Sequence, residues 1–190
     1  TLVSDELDFP NLSMVGVDDR AAAYTAVDYL IQQGHRKIAV LGGPATSYPS
    51  MMRREGAQQA MRDAGILFND KLYGLSNYDF ESAYHAMNSL LARRAEFTAL
   101  FAMSDVIAFG AIRALVSAGL RVPEDVSVIG FDGITMSRYC VPVMTTIVQP
   151  SEQIALQSIE LLVRQIEHGA SAQTVTLQPE LQQGESVRAI

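Results

Sequence analysis

The sequence predicts an α/β protein built on a doubly wound parallel sheet, and three observations carry that prediction. Apolar runs with no alternating polar face, Ile38-Ala39-Val40-Leu41, Ala99-Leu100-Phe101-Ala102-Met103 and Val128-Ile129-Gly130-Phe131, have the composition of strands buried on both faces. Stretches with helical apolar spacing separate such runs, so that strand and helix alternate about five times along the chain. Residues 97–133 form the clearest unit. A buried strand breaks at Ser104-Asp105, a helix rich in small residues (Ala108, Gly110, Ala111, Ala114) ends at Gly119, and a second buried strand stops at Asp132-Gly133. Two such strands bridged by a helix run parallel with a right-handed crossover. Ligands of parallel sheets bind beyond the carboxyl ends of the strands, where Ser104, Asp105 and Asp132 fall.

Taken in order, Leu12 to Val17 read as a short strand, and Asp18-Asp19 cap a helix with the stripe Ala23, Val27, Leu30 and Ile31, closed by Gly34. Residues 35–44 form a strand entered through a basic turn and left through Gly42-Gly43-Pro44. A polar loop, Thr46 to Ser50, leads to a helix over about 51–64 with Gly56, Ala60, Met61 and Ala64 inward and Gly65 as its stop. Leu72 to Leu75 suit a short strand, and a helix over about 80–93 keeps Ala83, Met87, Leu90 and Leu91 inward. Asp105 is the expected cap of the helix in the central unit, because an aspartate after a buried run accepts the orphan N–H groups of a first turn. After Gly133 an irregular stretch carries Met136, Tyr139, Cys140 and Val141. Thr145 to Val148 are strand-like, and Pro150 marks a crossing or a turn. Ser151 caps a last long helix with Ala155, Ile159, Leu162 and Ile166 inward; Thr174 to Leu177 and a weak run near Val187 suit closing strands.

The 190 residues suffice for one good core or two small ones sharing a crossing, and no apolar run approaches the roughly 20 residues of a membrane span. The net charge of −7, with no basic cluster beyond three dipeptides, lacks the electrostatic footprint of a nucleic-acid binder. The single cysteine, Cys140, rules out an internal disulfide and fits a reducing compartment. Thr1-Leu2-Val3 reads as the interior of a strand, so the natural start is expected upstream. His35, His85 and His168 are scattered without ligand spacing, so no metal site or cofactor is expected. No Ser, Thr or Cys shows a nearby His–acid pairing for a nucleophile. The Gly42-Gly43-Pro44 loop lacks both a Walker lysine and GxGxxG spacing.

Three ordered motifs add to this: GHRKIAVLGGP at 34–44, SDVIAFGAIRALVSAGLRVPEDVSVIGFDG at 104–133 and TTIVQP at 145–150. Together they resemble the LacI/GalR family of bacterial transcriptional regulators, and the similarity runs through nearly the whole chain. The resemblance implies a periplasmic-binding-protein-like core of two α/β subdomains joined by three crossings, with the ligand between them. It implies that 1–15 are a remnant of the N-terminal subdomain, 16–147 the C-terminal subdomain, 148–178 a further N-terminal segment and 179–190 a return to the C-terminal subdomain. The family's helix-turn-helix DNA-binding domain, hinge helix and first half of the N-terminal subdomain would lie outside this chain.

The resemblance also implies site residues, each with a plainer reading beside it. Arg53 matches the family's effector-binding arginine, whose planar fork holds adjacent hydroxyls; from the pattern alone it is equally a solvated arginine beside Glu55. Asp132 matches the ligand-binding aspartate, while Asp-Gly is also a strong turn signal. Ser104 stands where many members carry a ligand-binding asparagine. Tyr78 matches an aromatic that stacks on effectors, an aromatic face covering the C–H side of a sugar, against the alternative of an exposed loop tyrosine. Gln149 either offers its amide to the ligand or pairs with backbone. Ser47, with Thr46 and Tyr48, faces the same mouth.

A two-fold dimer is expected through Phe80, Ala108, Ala111, Ile112, Met136, Tyr139, Cys140 and Val141. Small residues allow a partner helix close approach, and surface apolar clusters mark contacts; the alternative is that 136–141 fold back on their own subdomain. The expected function is that of a cytoplasmic regulator's effector-binding core. A sugar or sugar derivative would reorient the subdomains, and operator DNA would be reached only through the missing N-terminal domain. A periplasmic sugar-binding protein of a transport system is the alternative. An enzyme using Asp132 or Asp105 is disfavoured, since no second catalytic group pairs with either.

Overall fold

The computed structural model describes residues 12–94 and 96–190. The strand-like Thr1-Leu2-Val3 and most of the 1–15 remnant therefore lie outside the described residues. The order of elements is β1 (Met14–Val17), α1 (Asp19–Gln32), β2 (Ile38–Gly42), α2 (Tyr48–Asp63), β3 (Tyr73–Leu75), α3 (Phe80–Ala92), β4 (Ala99–Ala102), α4 (Asp105–Ser117), β5 (Ser127–Asp132), β6 (Thr145–Val148), α5 (Ser151–His168), β7 (Thr174–Leu177) and β8 (Glu180–Gln182), with 3-10 turns at Asp70–Leu72 and Thr135–Arg138.

The main sheet runs β3-β2-β4-β5-β6-β8, parallel except for the antiparallel edge strand β8. Alternate residues of each central strand feed the two faces. Ile38, Val40, Phe101, Met103, Ile129 and Phe131 pack with α1 and α2, and Ala39, Leu41, Leu100, Ala102 and Val128 pack with α3 and α4. Helices thus cover both sides, which is why these strands read as unbroken apolar runs. The predicted doubly wound α/β sheet is what the chain forms. After β2 the chain goes outward to β3 and returns on the other side to β4, so the winding reverses between β2 and β4.

A second, two-stranded parallel sheet pairs β1 with β7 and packs beneath α5 on Val15, Val17, Ile154 and Leu161. The chain passes between the two sheets at Asp18, at Gln149-Pro150 and at Gln178-Pro179. Because β1 keeps its register with β7 through Val17, Gly16 and Val17 belong to the small sheet rather than beyond a boundary at 15/16.

Five local expectations need correction. The cap of α4 is Ser104, whose hydroxyl accepts from the Ile107 N–H, and not Asp105. Ser151 is the first residue of α5; Pro150 occupies the cap and supplies no side-chain bond. The buried stripe of α5 is Ile154, Ser158 and Leu161, so Ala155, Ile159, Leu162 and Ile166 face outward, and Ala64 is likewise exposed. The last strand is β8, not the run near Val187, which lies in irregular chain.

The small residues of α4 have a partner within the chain. A Cβ at Gly110 would stand 2.5 Å from the Phe80 carbonyl oxygen and 2.7 Å from Ala83 Cβ, so α3 crosses α4 at its glycine. Ala108 and Ala111 are fully buried in that contact and Ile112 is half-buried against the same core. Ala108 and Ala111 therefore cannot meet a second molecule, and they leave the list of dimer residues. Gly56 does the same for the opposite layer, where any Cβ would run into the Arg20 carbonyl of α1.

Candidate functional site

The carboxyl ends of the strands converge, because Gly42 pairs with Leu75, Leu41 with Ala102 and Asp132 with Val148. Arg53 comes from the second turn of α2 and is only 6 % exposed. Its Nε donates to Asp19 Oδ1 at 2.6 Å, Nη1 donates to the Met103 carbonyl, and Nη1 lies 3.7 Å from Asp132 Oδ1. The guanidinium rests on the Phe131 ring, 3.7 Å from its centroid, an attraction that strengthens away from water. Arg53 is thus fixed at the carboxyl ends of β4 and β5, the end of a parallel sheet at which ligands bind. It is not a solvated surface arginine.

Asp132 closes β5 with φ at +112°, a region that side-chain-bearing residues enter only at a cost. Its Oδ1 accepts from Gln149 Nε2 at 2.8 Å, and its carbonyl accepts from the Gln149 N–H. Burial raises the Asp132 carboxyl above its usual range, while Arg53 and the Gln149 amide pull it back. Asp19 behaves alike: burial raises it and Arg53 lowers it. A cavity of about 690 Å³ opens beside Asp132 and Gln149, lined also by Gly133, Arg138 and Glu152 among others.

Tyr78 also has positive φ, at 60°. Its hydroxyl shares a hydrogen bond of 2.7 Å with the buried Ser50 of α2. The ring lies so close to Gly43 that any side chain there would overlap it. Gly43, just after β2, therefore makes room for an aromatic ring. Ser47 sits at the cap position of α2 but spends no side-chain bond on it. Ser104 is buried, and its hydroxyl oxygen accepts at the cap, a bond that leaves the hydroxyl proton uncommitted.

Asp105, fully buried, stands behind the site. Its Oδ1 accepts from Thr146 Oγ1 at 2.6 Å and its Oδ2 from the Ile134 N–H at 2.9 Å, and burial pushes its carboxyl up to about 6. A methyl at Gly130 would strike Oδ1. Asp105 thereby pins the start of α4 to β6 and to the turn after Asp132.

The structure brings together Arg53, Asp132 and Gln149, while Tyr78 is tied to Ser50 of α2 and Ser47 sits at the start of that helix. Sequence reading missed Asp19 and Ser50. Asp19 carried a signal, a second carboxylate beside a capping aspartate; Ser50 had none. Of the other dimer residues, Phe80, Met136, Tyr139 and Val141 are exposed, Val141 by 92 % and Tyr139 by 77 %. Cys140 is half-buried, with Sγ against the Ser137 and Pro142 carbonyls. Among the described residues no helix is long and apolar enough to cross a membrane.

Comparison with known proteins places this geometry. The periplasmic binding protein-like domain family matches residues 27–187. The HTH-type transcriptional repressor PurR of Histophilus somni is 35 % identical over 181 residues, covering 95 % of this chain and 54 % of that protein. The complex of the transcriptional regulator CelR with cellobiose superposes with a TM-score of 0.89 at 32 % identity, covering 93 % of this chain and 54 % of that one. A LacI family transcriptional regulator from Enterococcus faecium with bound ribose gives 0.85 at 29 %, covering 94 % and 66 %. The chain spans about half the length of the curated relatives it matches. The chain belongs to the periplasmic binding protein-like domain family, and the relatives it matches are transcriptional regulators.

Proposed function

We propose that this chain is the effector-binding and dimerisation core of a cytoplasmic LacI/GalR-type regulator, and that its effector is a neutral, hydroxyl-rich molecule such as a sugar. The observation that carries the reading is the fixed Arg53–Asp132 pair at the carboxyl ends of β4 and β5, a donor fork and an acceptor 3.7 Å apart. Adjacent hydroxyls of a sugar satisfy both at once, and Tyr78 supplies a face for its C–H side. The relatives support a regulator over a transport binding protein: the curated matches are named as regulators, and two structural neighbours carry cellobiose and ribose.

The mechanism follows from how Asp132 is partnered. Its Oδ1 already accepts from Gln149, the first residue of the crossing into α5. A hydroxyl that takes this acceptor exchanges one hydrogen bond for another, a small net gain, and frees the Gln149 side chain while its backbone N–H stays on the Asp132 carbonyl. Effector binding is thereby coupled to the small sheet, whose orientation differs between free and bound states by whatever contacts the effector makes in each. Operator DNA would be reached through a helix-turn-helix domain outside this chain, with Phe80, Met136, Tyr139 and Val141 of two copies in contact.

Titration calorimetry of the full-length regulator against a sugar panel including ribose and cellobiose tests the reading. Arg53→Ala should weaken the binding sugar by about 1.5–3 kcal/mol, roughly ten- to a hundredfold, the usual value of a charged hydrogen bond. Unchanged affinity removes Arg53 from the site.

A further inference from the structure

The site holds two carboxylates and one guanidinium. Asp19 and Asp132 flank Arg53, at 2.6 Å from Nε and 3.7 Å from Nη1. The other groups that bear on these carboxylates add negative charge. Asp18 stands next to Asp19 and acts to raise it, and Asp19 in turn acts to raise Asp132. At the cavity mouth Arg138 is matched by Glu152. Arg53 therefore does not present a net positive charge to the cleft. Its edge is still usable: among the described residues nothing bonds to Nη2, and that atom is not sealed from solvent.

We propose that Asp19 is a specificity-determining residue. By neutralising and orienting Arg53 it turns a cation into a directional hydrogen-bond donor, so that the cleft accepts neutral polyols and rejects phosphorylated or carboxylated ones. The proposal deepens the effector-binding reading and rests on Arg53 facing the cleft. It assigns Asp19 a role that its place at the start of α1 does not require, since Asp18 already caps that helix by accepting from the Ala21 N–H. Nor is Asp19 a packing residue alone. A buried carboxylate held against its desolvation cost by one guanidinium is stable only with that partner, and the partner's Nη1 reaches the Met103 carbonyl and lies 3.7 Å from Asp132 while Nη2 keeps solvent access.

The test uses anions rather than the unidentified effector. Inorganic phosphate and ribose 5-phosphate are titrated into wild type, Asp19→Asn and Asp19→Glu by calorimetry, with sodium chloride of equal ionic strength as control and a thermal melt for each variant. Asparagine keeps the shape and an acceptor for Nε; glutamate keeps the charge and disturbs the packing. At an effective dielectric near 20, a unit charge removed within several ångströms of a bound anion is worth tenfold or more in affinity. The expected result is binding of both anions to Asp19→Asn, about tenfold or more tighter than to wild type, with Asp19→Glu rejecting them as wild type does. Asp19→Ser supplies the charge-free comparison where the asparagine variant does not fold. Equal phosphate affinity in wild type and the charge-free variant overturns the proposal, and so does equal gain in the glutamate variant, which would assign the effect to packing. Failure of every neutral sugar to bind wild type, with the anion result as expected, would instead overturn the sugar reading and leave Asp19's role standing.

Discussion

Gly110→Ala separates two meanings of the small residues on α4. The added methyl would stand 2.5 Å from the Phe80 carbonyl oxygen, 2.7 Å from Ala83 Cβ and 3.0 Å from the Tyr84 nitrogen, all on α3. Ordinary contact begins near 3.4 Å, so α3 must retreat by several tenths of an ångström, and two of the three obstacles are backbone that cannot rotate away. Overpacking of this kind costs about 1–3 kcal/mol, and alanine's better helix propensity returns about 1 kcal/mol. The net expectation is a loss of about 1 kcal/mol in urea unfolding, with an unchanged slope and unchanged mass by light scattering. Were α4 instead a surface for a second copy, the variant would lose dimer and keep its unfolding free energy. Equal or greater stability in Gly110→Ala would refute the intrachain account of these residues.

Two further outcomes are expected. His35 is buried, with Nδ1 against Thr98 Oγ1 and Nε2 donating to the Arg188 carbonyl, and burial lowers its pKa. The unfolded chain takes up a proton near pH 6.5 that the folded chain refuses, so His35 stabilises fully above that pH and progressively less below it. Asp105, raised to about 6, contributes with the opposite sign over part of the same range. The measurement is therefore a difference: unfolding free energy from pH 7.5 to 5 should fall more steeply in wild type than in His35→Gln, and parallel curves would count against the buried neutral histidine. For the proposed dimer, Tyr139→Asp should yield monomer by light scattering where wild type is dimeric, and a variant that stays dimeric moves the contact elsewhere.

The sheet was legible because its cause is local. Strands covered on both faces must be apolar throughout, and Ile38 to Leu41 or Ala99 to Met103 have no other stable setting. Asp132 was legible from its place at a strand's carboxyl end, but Arg53 only through family likeness, since the pattern around it reads as an ordinary surface arginine. What made them a pair, the stacking on Phe131 and the clamp by Asp19, depends on residues far apart in the chain. The assignment between Ser104 and Asp105 failed for a related reason. Both can cap a helix, and only the burial of Thr146 and the turn at Ile134 commits the aspartate to tertiary bonds and leaves the serine to the cap.

The helix α5 shows where periodicity stops being informative. Its apolar residues fall on two stripes: Ile154, Ser158 and Leu161 face the small sheet, while Ile159, Leu162 and Ile166 face outward. The outward stripe is the more apolar of the two, so a reading that ranks stripes by hydropathy selects it as the inner face. A 3.6-residue pattern reports that a helix has a surface to bury, but the identity of that surface is set by the elements available to cover it. Here the described residues supply one two-stranded sheet, which engages the stripe bearing Ser158 because that serine returns its hydroxyl to the Ile154 carbonyl and can be buried at no hydrogen-bonding loss.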